Sequence, residues 1–137
     1  MSSTEIWIHT VWVTKQRRPY FDKALLYKLG LYLKKQALFH SIQLDYVNGY
    51  KDHLHLLIQL RSTQTMAGVN KQMKGESSRW INTSALTDEL FSWRAGYYAA
   101  SVSPRHVEQV REYIKNQWKK HEHLNLKQEL SLLFPFE

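Results

Sequence analysis

The 137 residues predict an α+β fold, a ferredoxin-like (RRM-like) sandwich built on an antiparallel sheet and followed by a C-terminal helix. Two observations carry this. Segments with the periods of strands and of helices follow one another in the order strand, helix, strand, strand, helix, strand. The second and third strand segments are also separated by Asn48-Gly49, a tight-turn signal that joins antiparallel neighbours. One face of such a sheet carries helices, which leaves the other for a ligand or a partner subunit. No repeat, low-complexity tract or linker interrupts the series, so residues 1–137 are expected to form one domain.

Glu5 to Thr14 (EIWIHTVWVT) is rich in β-branched and aromatic residues and reads as the first strand. His9 lies inside it. A lone buried histidine is more often packed and hydrogen-bonded than a ligand, so it is not counted in the candidate site. Lys15-Gln16-Arg17-Arg18-Pro19-Tyr20 is a basic loop broken by proline, suited either to gripping phosphates or to lying in solvent. Asp22 is placed to cap a helix running to about Phe39. Its Leu25, Leu26, Leu29, Leu33 and Ala37 recur at helical spacing, and Lys23, Lys28, Lys34 and Lys35 fall elsewhere. Ser41 to Asn48 alternates as a second strand. His53 to Leu60 is almost wholly apolar apart from two histidines and Gln59, as expected of a strand buried on both faces.

Ser62 or Thr63 caps a second helix through Met66, Val69 and Met73 towards Trp80-Ile81, with Lys71, Lys74 and Arg79 on a basic polar face. That face suits a DNA backbone or simply solvent. Thr83 to Glu89 is a polar connection, and Phe91 to Ser103 gives a turn and a fourth strand. Ser103 as cap and Pro104 in the first turn open a helix to about His123. The tail, Leu124 to Glu137, holds one more short helix before Pro135. His121-Glu122-His123 places two histidines two apart, a spacing that diverges on a helix. It reads as a solvated helix end.

The chain has no cysteine, which excludes disulfides and thiolate metal sites and is compatible with a reducing cytoplasm. No apolar stretch approaches the roughly 20 residues of a membrane span, and Met1-Ser2-Ser3-Thr4-Glu5 lacks the basic and apolar regions of a signal peptide. Nineteen Lys and Arg against twelve Asp and Glu give a net charge of +7. With 13% aromatic residues among the basic ones, the balance tilts towards a nucleic-acid partner, because bases stack on aromatic rings.

On a strand, residues two apart share a face, so His53 and His55 project together and can chelate one divalent cation. On the last predicted helix, Val107, Val110, Ile114 and Trp118 form an apolar stripe. Tyr113 and Gln117, four apart, stack together on its flank. A tyrosine hydroxyl can attack a phosphodiester and store its energy as phosphotyrosine. An ion held by His53, His55 and the Gln117 carbonyl would keep its full charge for the phosphate, since these ligands are neutral.

These blocks, in this order, resemble the single-tyrosine HUH transposases of the insertion sequence 200/605 group. His53-Leu54-His55 matches the His-hydrophobic-His motif, with Asp52 as the acidic residue before it. YKDHLHLLIQL resembles that family's metal strand, QMKGESSRW its second helix, FSWRAGYYAASVS its fourth strand and VREYIKNQ its nucleophile helix. Tyr113 then matches the catalytic tyrosine, and Gln117 the third ligand of Mg²⁺ or Mn²⁺.

The resemblance implies an enzyme that cuts and rejoins single-stranded DNA at hairpin-marked element ends through a 5′-phosphotyrosine. It implies a homodimer in which the tyrosine helix of one subunit serves the histidines of the other. It also implies a cytoplasmic, nucleoid-associated location in a bacterium or archaeon. Hairpin contacts would fall to basic residues such as Arg17, Arg18, Lys71, Lys74 and Arg79. Two alternatives stay open: a non-catalytic single-stranded nucleic-acid-binding module, and a domesticated relative acting on chromosomal hairpin repeats.

Overall fold

The computed structural model describes residues 3–135. Met1 and Ser2, part of the N-terminal stretch read above as lacking the regions of a signal peptide, and Phe136 and Glu137, the end of the tail read above, lie outside the described residues.

The chain folds as strand β1 (Ile6–Val13), helix α1 (Lys23–Phe39), strands β2 (Gln43–Tyr50) and β3 (His53–Leu60), helix α2 (Met66–Thr83) and strand β4 (Tyr98–Val102). Three further helices follow: α3 (Val107–Lys115), α4 (Gln117–Lys120) and α5 (Leu126–Leu133). The four strands form one antiparallel sheet in the order β2-β3-β1-β4, the split βαβ arrangement expected from the sequence.

Strand alternation sorts the core into two layers. Leu54, Leu56 and Ile58 of β3, with Ile8 and Trp12 of β1, face α1 and α2. Helix α1 answers with Leu25, Leu26, Leu29, Leu33 and Ala37, all buried. It starts as expected, with the Asp22 carboxylate accepting from the Leu25 amide at 2.7 Å. Helix α2 is tied to the sheet by buried Asn70, whose carbonyl accepts from Thr10 Oγ1 and Trp12 Nε1, both at 2.8 Å. The cap of α2 is Thr65, accepting from the Gly68 amide, and not Ser62 or Thr63. The chain between β3 and α2 first makes a turn that consumes those two residues.

Three expectations are corrected. The hairpin between β2 and β3 exists, but its turn is Lys51-Asp52; Asn48 and Gly49 are paired strand residues opposite His55 and Leu54. Gly49 is required by close approach instead, since a Cβ there would lie 2.3 Å from the His53 carbonyl oxygen. The last helix is not continuous to His123. It opens with a 3-10 turn at Pro104–His106 lacking a Ser103 side-chain cap, and it breaks at Asn116 between α3 and α4. Finally, the second face of the sheet is not left open. Val107 and Ile114 of α3 pack on Leu57 of β3, with Trp7, Tyr46 and Val102 around them. Because of the break, Trp118 leaves the stripe of Val107, Val110 and Ile114 and packs at the edge of the α1 layer.

Candidate metal and nucleophile centre

His53 and His55 project from β3 towards α3, and both are fully buried. Each ring is fixed from behind, as metal-binding imidazoles usually are. His53 Nδ1 lies 2.7 Å from Asp52 Oδ1, and His55 Nδ1 lies 2.7 Å from His9 Nε2. His9 is thus packed and hydrogen-bonded as expected, but its partner is one of the site's own histidines. The opposite nitrogens converge. His53 Nε2 is 3.0 Å from Gln117 Oε1 and 3.0 Å from Glu129 Oε1, and His55 Nε2 is 3.5 Å from the same carboxylate oxygen.

Glu129 is the residue that sequence reasoning missed. It sits on α5 with no exposed surface. Its Oε2 accepts from the Tyr113 hydroxyl and, at 2.9 Å, from Gln117 Nε2, while Oε1 is 3.0 Å from His121 Nε2. A signal for it did exist. Leu126, Glu129, Leu130 and Leu133 occupy the inward spacing of a short amphipathic helix, and a carboxylate inside such a stripe is out of place unless it is partnered. His121 is corrected on the same ground. It is drawn into the cluster and stacks on Tyr50 with ring centroids 4.4 Å apart, whereas His123 is exposed.

Burial and charge set the protonation. Burial alone would lower His53, but hydrogen bonds to the Asp52 and Glu129 carboxylates outweigh it and raise its pKa to about 9. His55 is lowered to about 4 by burial and by the charge of His53, and His9 to about 3 by burial and by His55. Burial would raise Glu129, yet its hydrogen bonds with His121 and His53, with the His55 ring close by, hold it far below the usual carboxylate range. The Tyr113 phenol is pushed well up by burial and then by Glu129, so the hydroxyl stays protonated at neutral pH.

The donor set fits a divalent cation. His53, His55 and Glu129 each offer a ligand atom, all within 4.8 Å of one another. His55 Nε2 is buried without a hydrogen-bond partner, an arrangement that is costly unless something else occupies that lone pair. The Gln117 carbonyl oxygen points at the same place through its contact with His53. The predicted set of neutral ligands is therefore joined by a carboxylate, which lowers the net charge left to an ion.

Tyr113 packs beside the histidines of its own chain, 5.9 Å from the His55 ring and 6.3 Å from the His9 ring. The basic candidates divide. Arg17 Nε is 3.5 Å from Asp52 and so touches the rim of the centre, whereas Arg18 pairs with Glu89 at 2.7 Å. Lys71 and Arg79 are exposed on α2, across the sheet, and Lys74 donates to the Arg94 and Gly96 carbonyls.

A four-stranded antiparallel sheet that holds paired histidines beside a helix-borne tyrosine defines an α+β protein with a histidine, carboxylate and tyrosine centre. The chain belongs to the IS200-like transposase family, whose model, described as "Transposase IS200 like", matches residues 2–117. The match ends at Gln117, so Glu129 lies beyond it. The fold is similar to that of a candidate transposase from Deinococcus radiodurans R1, with TM-score 0.68 and 22% identity over 85% of this chain and 93% of that one. It is also similar to a REP-associated tyrosine transposase bound to a REP hairpin, with TM-score 0.62 and 13% identity over 90% of this chain and 76% of that one. No functionally curated protein matches the chain. Among the described residues, no helix is long and apolar enough to cross a membrane.

Proposed function

We propose that this transposase cuts and rejoins single-stranded DNA at hairpin-marked ends, with Tyr113 as nucleophile. The observation that carries the reading is the convergence on one carboxylate, Glu129, of the Tyr113 hydroxyl, the Gln117 amide and both histidines of the metal strand. The Tyr113 oxygen would attack the scissile phosphorus, the bond from phosphorus to the 3′ oxygen would break, and the products would be a 5′-phosphotyrosine and a free 3′-hydroxyl. Glu129, held far below the usual carboxylate range, would orient the hydroxyl rather than take its proton; the phenolic proton would pass to solvent as the new bond forms, and the departing 3′ oxygen would take one from solvent. His53, His55 and Gln117, with Glu129, would hold Mg²⁺ or Mn²⁺. When bound, that ion supplies Lewis-acid polarisation of the phosphate.

Hairpin recognition is supported by the net charge of +7 and by the hairpin-bound structural neighbour. Lys71 and Arg79, exposed on α2, are proposed for the stem backbone and Arg17 for the edge nearest the centre. Arg18 and Lys74, engaged in contacts within the chain, contribute less. Each chain is proposed to use its own tyrosine, because Tyr113 and Glu129 already meet the histidines of the same chain. The shared-site homodimer implied by the family resemblance is the alternative.

The test is a cleavage assay on hairpin-bearing single-stranded DNA labelled at either end and run on a denaturing gel. With Mg²⁺ or Mn²⁺ the protein should become attached to the 5′ side of the cut, and chelator or Tyr113→Phe should abolish the adduct. Attachment to the 3′ side, or preferential cutting of intact duplex, would refute the reading.

A further inference from the structure

We infer that the groove between α1 and the edge of β2 is the track for the single-stranded DNA that leads to the cleavage centre. The inference rests on the proposed cleavage reading and adds to it the path of the strand. The groove has a volume of about 390 Å³ and is lined by Lys23, Tyr27 and Lys34 of α1, Tyr46 and Asn48 of β2, and Trp118 of α4. It contains no carboxylate.

Cations and rings are paired within it. Lys23 Nζ stands 5.2 Å from the centroid of the Trp118 ring, and Lys34 Nζ stands 5.9 Å from that of Tyr46. Tyr27, 69% exposed, adds a third aromatic face. A nucleotide offers the complement at each such place, a phosphate for the ammonium and a base for the ring. The two lysines are eleven residues apart, roughly 16 Å along the helix at 1.5 Å per residue, so more than one nucleotide can lie between them. Helix α1 carries Lys23, Lys28, Lys34 and Lys35 and no acidic residue, which gives the wall one sign of charge. Stacking requires unpaired bases, and a groove of this size admits them one at a time but excludes a duplex.

The groove also leads somewhere. Trp118 follows the site residue Gln117, and its ring lies 4.6 Å from Tyr50. Tyr50 in turn stacks on His121 and lies 6.2 Å from the ring of His53. Asn48 donates to the carbonyls of Ile114 at 3.1 Å and Lys115 at 3.2 Å, which couples the groove floor to the helix that carries Tyr113. A strand lying over α1 thus crosses the β2 edge and arrives at the centre from the side of α4. The basic face of α2, which shares α1's side of the sheet, does not line this groove.

The probe is fluorescein-labelled oligothymidylate, with affinity read by anisotropy across a salt series. Each phosphate contact on a single strand contributes about 0.7 to the slope of log affinity against log salt. Lys23→Ala/Lys34→Ala should therefore lower that slope by about 1.4. Tyr27→Ala should weaken binding about tenfold with the slope unchanged, as expected for lost stacking. All three side chains are exposed, and thermal melts verify that the variants fold. Photocrosslinks from 4-thiothymidine should map to Tyr27, Tyr46 or Trp118. An unchanged slope in the double variant, crosslinks confined to other elements, or equal affinity for blunt duplex would each overturn the track. So would a DNA-free dimer that dissociates in Tyr27→Ala, which would make the groove an interface between copies.

Adduct formation by the wild-type chain is scored in parallel on the hairpin substrate. Adduct formation with groove variants that bind like wild type removes the groove and leaves the cleavage reading. Groove-dependent binding with no Tyr113 adduct does the reverse, leaving a strand-binding groove without the chemistry.

Discussion

Glu129 is the most heavily used side chain of the centre, and its contacts make two predictions. It balances the charge on His53 and accepts from Tyr113, Gln117 and His121, with no exposed surface of its own. Glu129→Gln keeps the shape but removes the charge. The loss of a buried, multiply hydrogen-bonded partner should destabilise the metal-free protein by about 3 kcal/mol. Urea denaturation in chelator measures it, and a change below about 1 kcal/mol would mean that the carboxylate is not integral to the cluster.

The second prediction concerns pH. His53 has a folded pKa of about 9, above its ordinary 6.5, so its contribution to stability is fully present below 6.5 and is lost as pH rises through 9. His55 and His9, lowered to about 4 and about 3, contribute stability that is present above 6.5 and lost as pH falls towards those values. The metal-free protein should therefore be most stable near pH 6.5. Its stability should fall by about 1.4 kcal/mol per pH unit on the alkaline side and by up to about 2.7 on the acid side, where two histidines titrate, and more steeply below about pH 4.5, where the unfolded Glu129 also binds a proton. Metal binding must release the proton on His53 Nε2, so apparent affinity for Mn²⁺ should rise about tenfold per pH unit between 7 and 8. Calorimetry at the two pH values reads this directly, and a flat response would show that His53 is already neutral.

The elements that present these side chains were legible to different degrees, for physical reasons. Strand periodicity was enough to put His53 and His55 on one face, and helical spacing put Tyr113 and Gln117 on one flank. The break at Asn116 was not visible, and neither was the return of α5 that brings Glu129 home, because both depend on what the helices pack against. The β2–β3 hairpin shows how a local signal can be overruled. Asn48-Gly49 has the chemistry of a turn, yet the chain turns at Lys51-Asp52 and uses Gly49 where β2 passes close to the backbone of His53. That reading has a direct test. Gly49→Ala should destabilise by about 1–3 kcal/mol, the range of an overpacked site, and should weaken metal binding because His53 must shift. Gly75→Ala, in the exposed part of α2 with no atom within 4 Å of the added Cβ, should instead stabilise by up to about 1 kcal/mol. Matched melts of the two variants in chelator and with Mn²⁺ check both signs. If Gly49→Ala proved as benign as Gly75→Ala, the close-approach explanation would fail.

Across the whole molecule the open question is which chain's tyrosine serves which histidines. Helix α3 reaches the sheet through a short link, Ser103 and the 3-10 turn Pro104–His106. Its apolar contacts are Val107 and Ile114 on Leu57. An exchange of α3 to α5 between two copies would reproduce those same contacts, so packing energy alone favours neither arrangement. In this single chain the link brings α3 onto its own sheet, with Asn48 donating to the Ile114 and Lys115 carbonyls at the α3 C-terminus.

The corresponding experiment pairs two variants. Tyr113→Phe loses only the nucleophilic oxygen. His53→Ala keeps the nucleophile and loses a metal ligand. Each should be inactive alone. Differently tagged copies are co-expressed, the mixed species is purified, and strand cleavage is scored by the size of the chain that carries the DNA. With each site built from one chain, every site in the mixture lacks either tyrosine or histidine, and the mixture should stay as inactive as its parents. Recovery of cleavage, with the adduct on the His53→Ala chain, would instead require the tyrosine of one subunit to work beside the histidines of the other. The same helices would then be packed across a dimer.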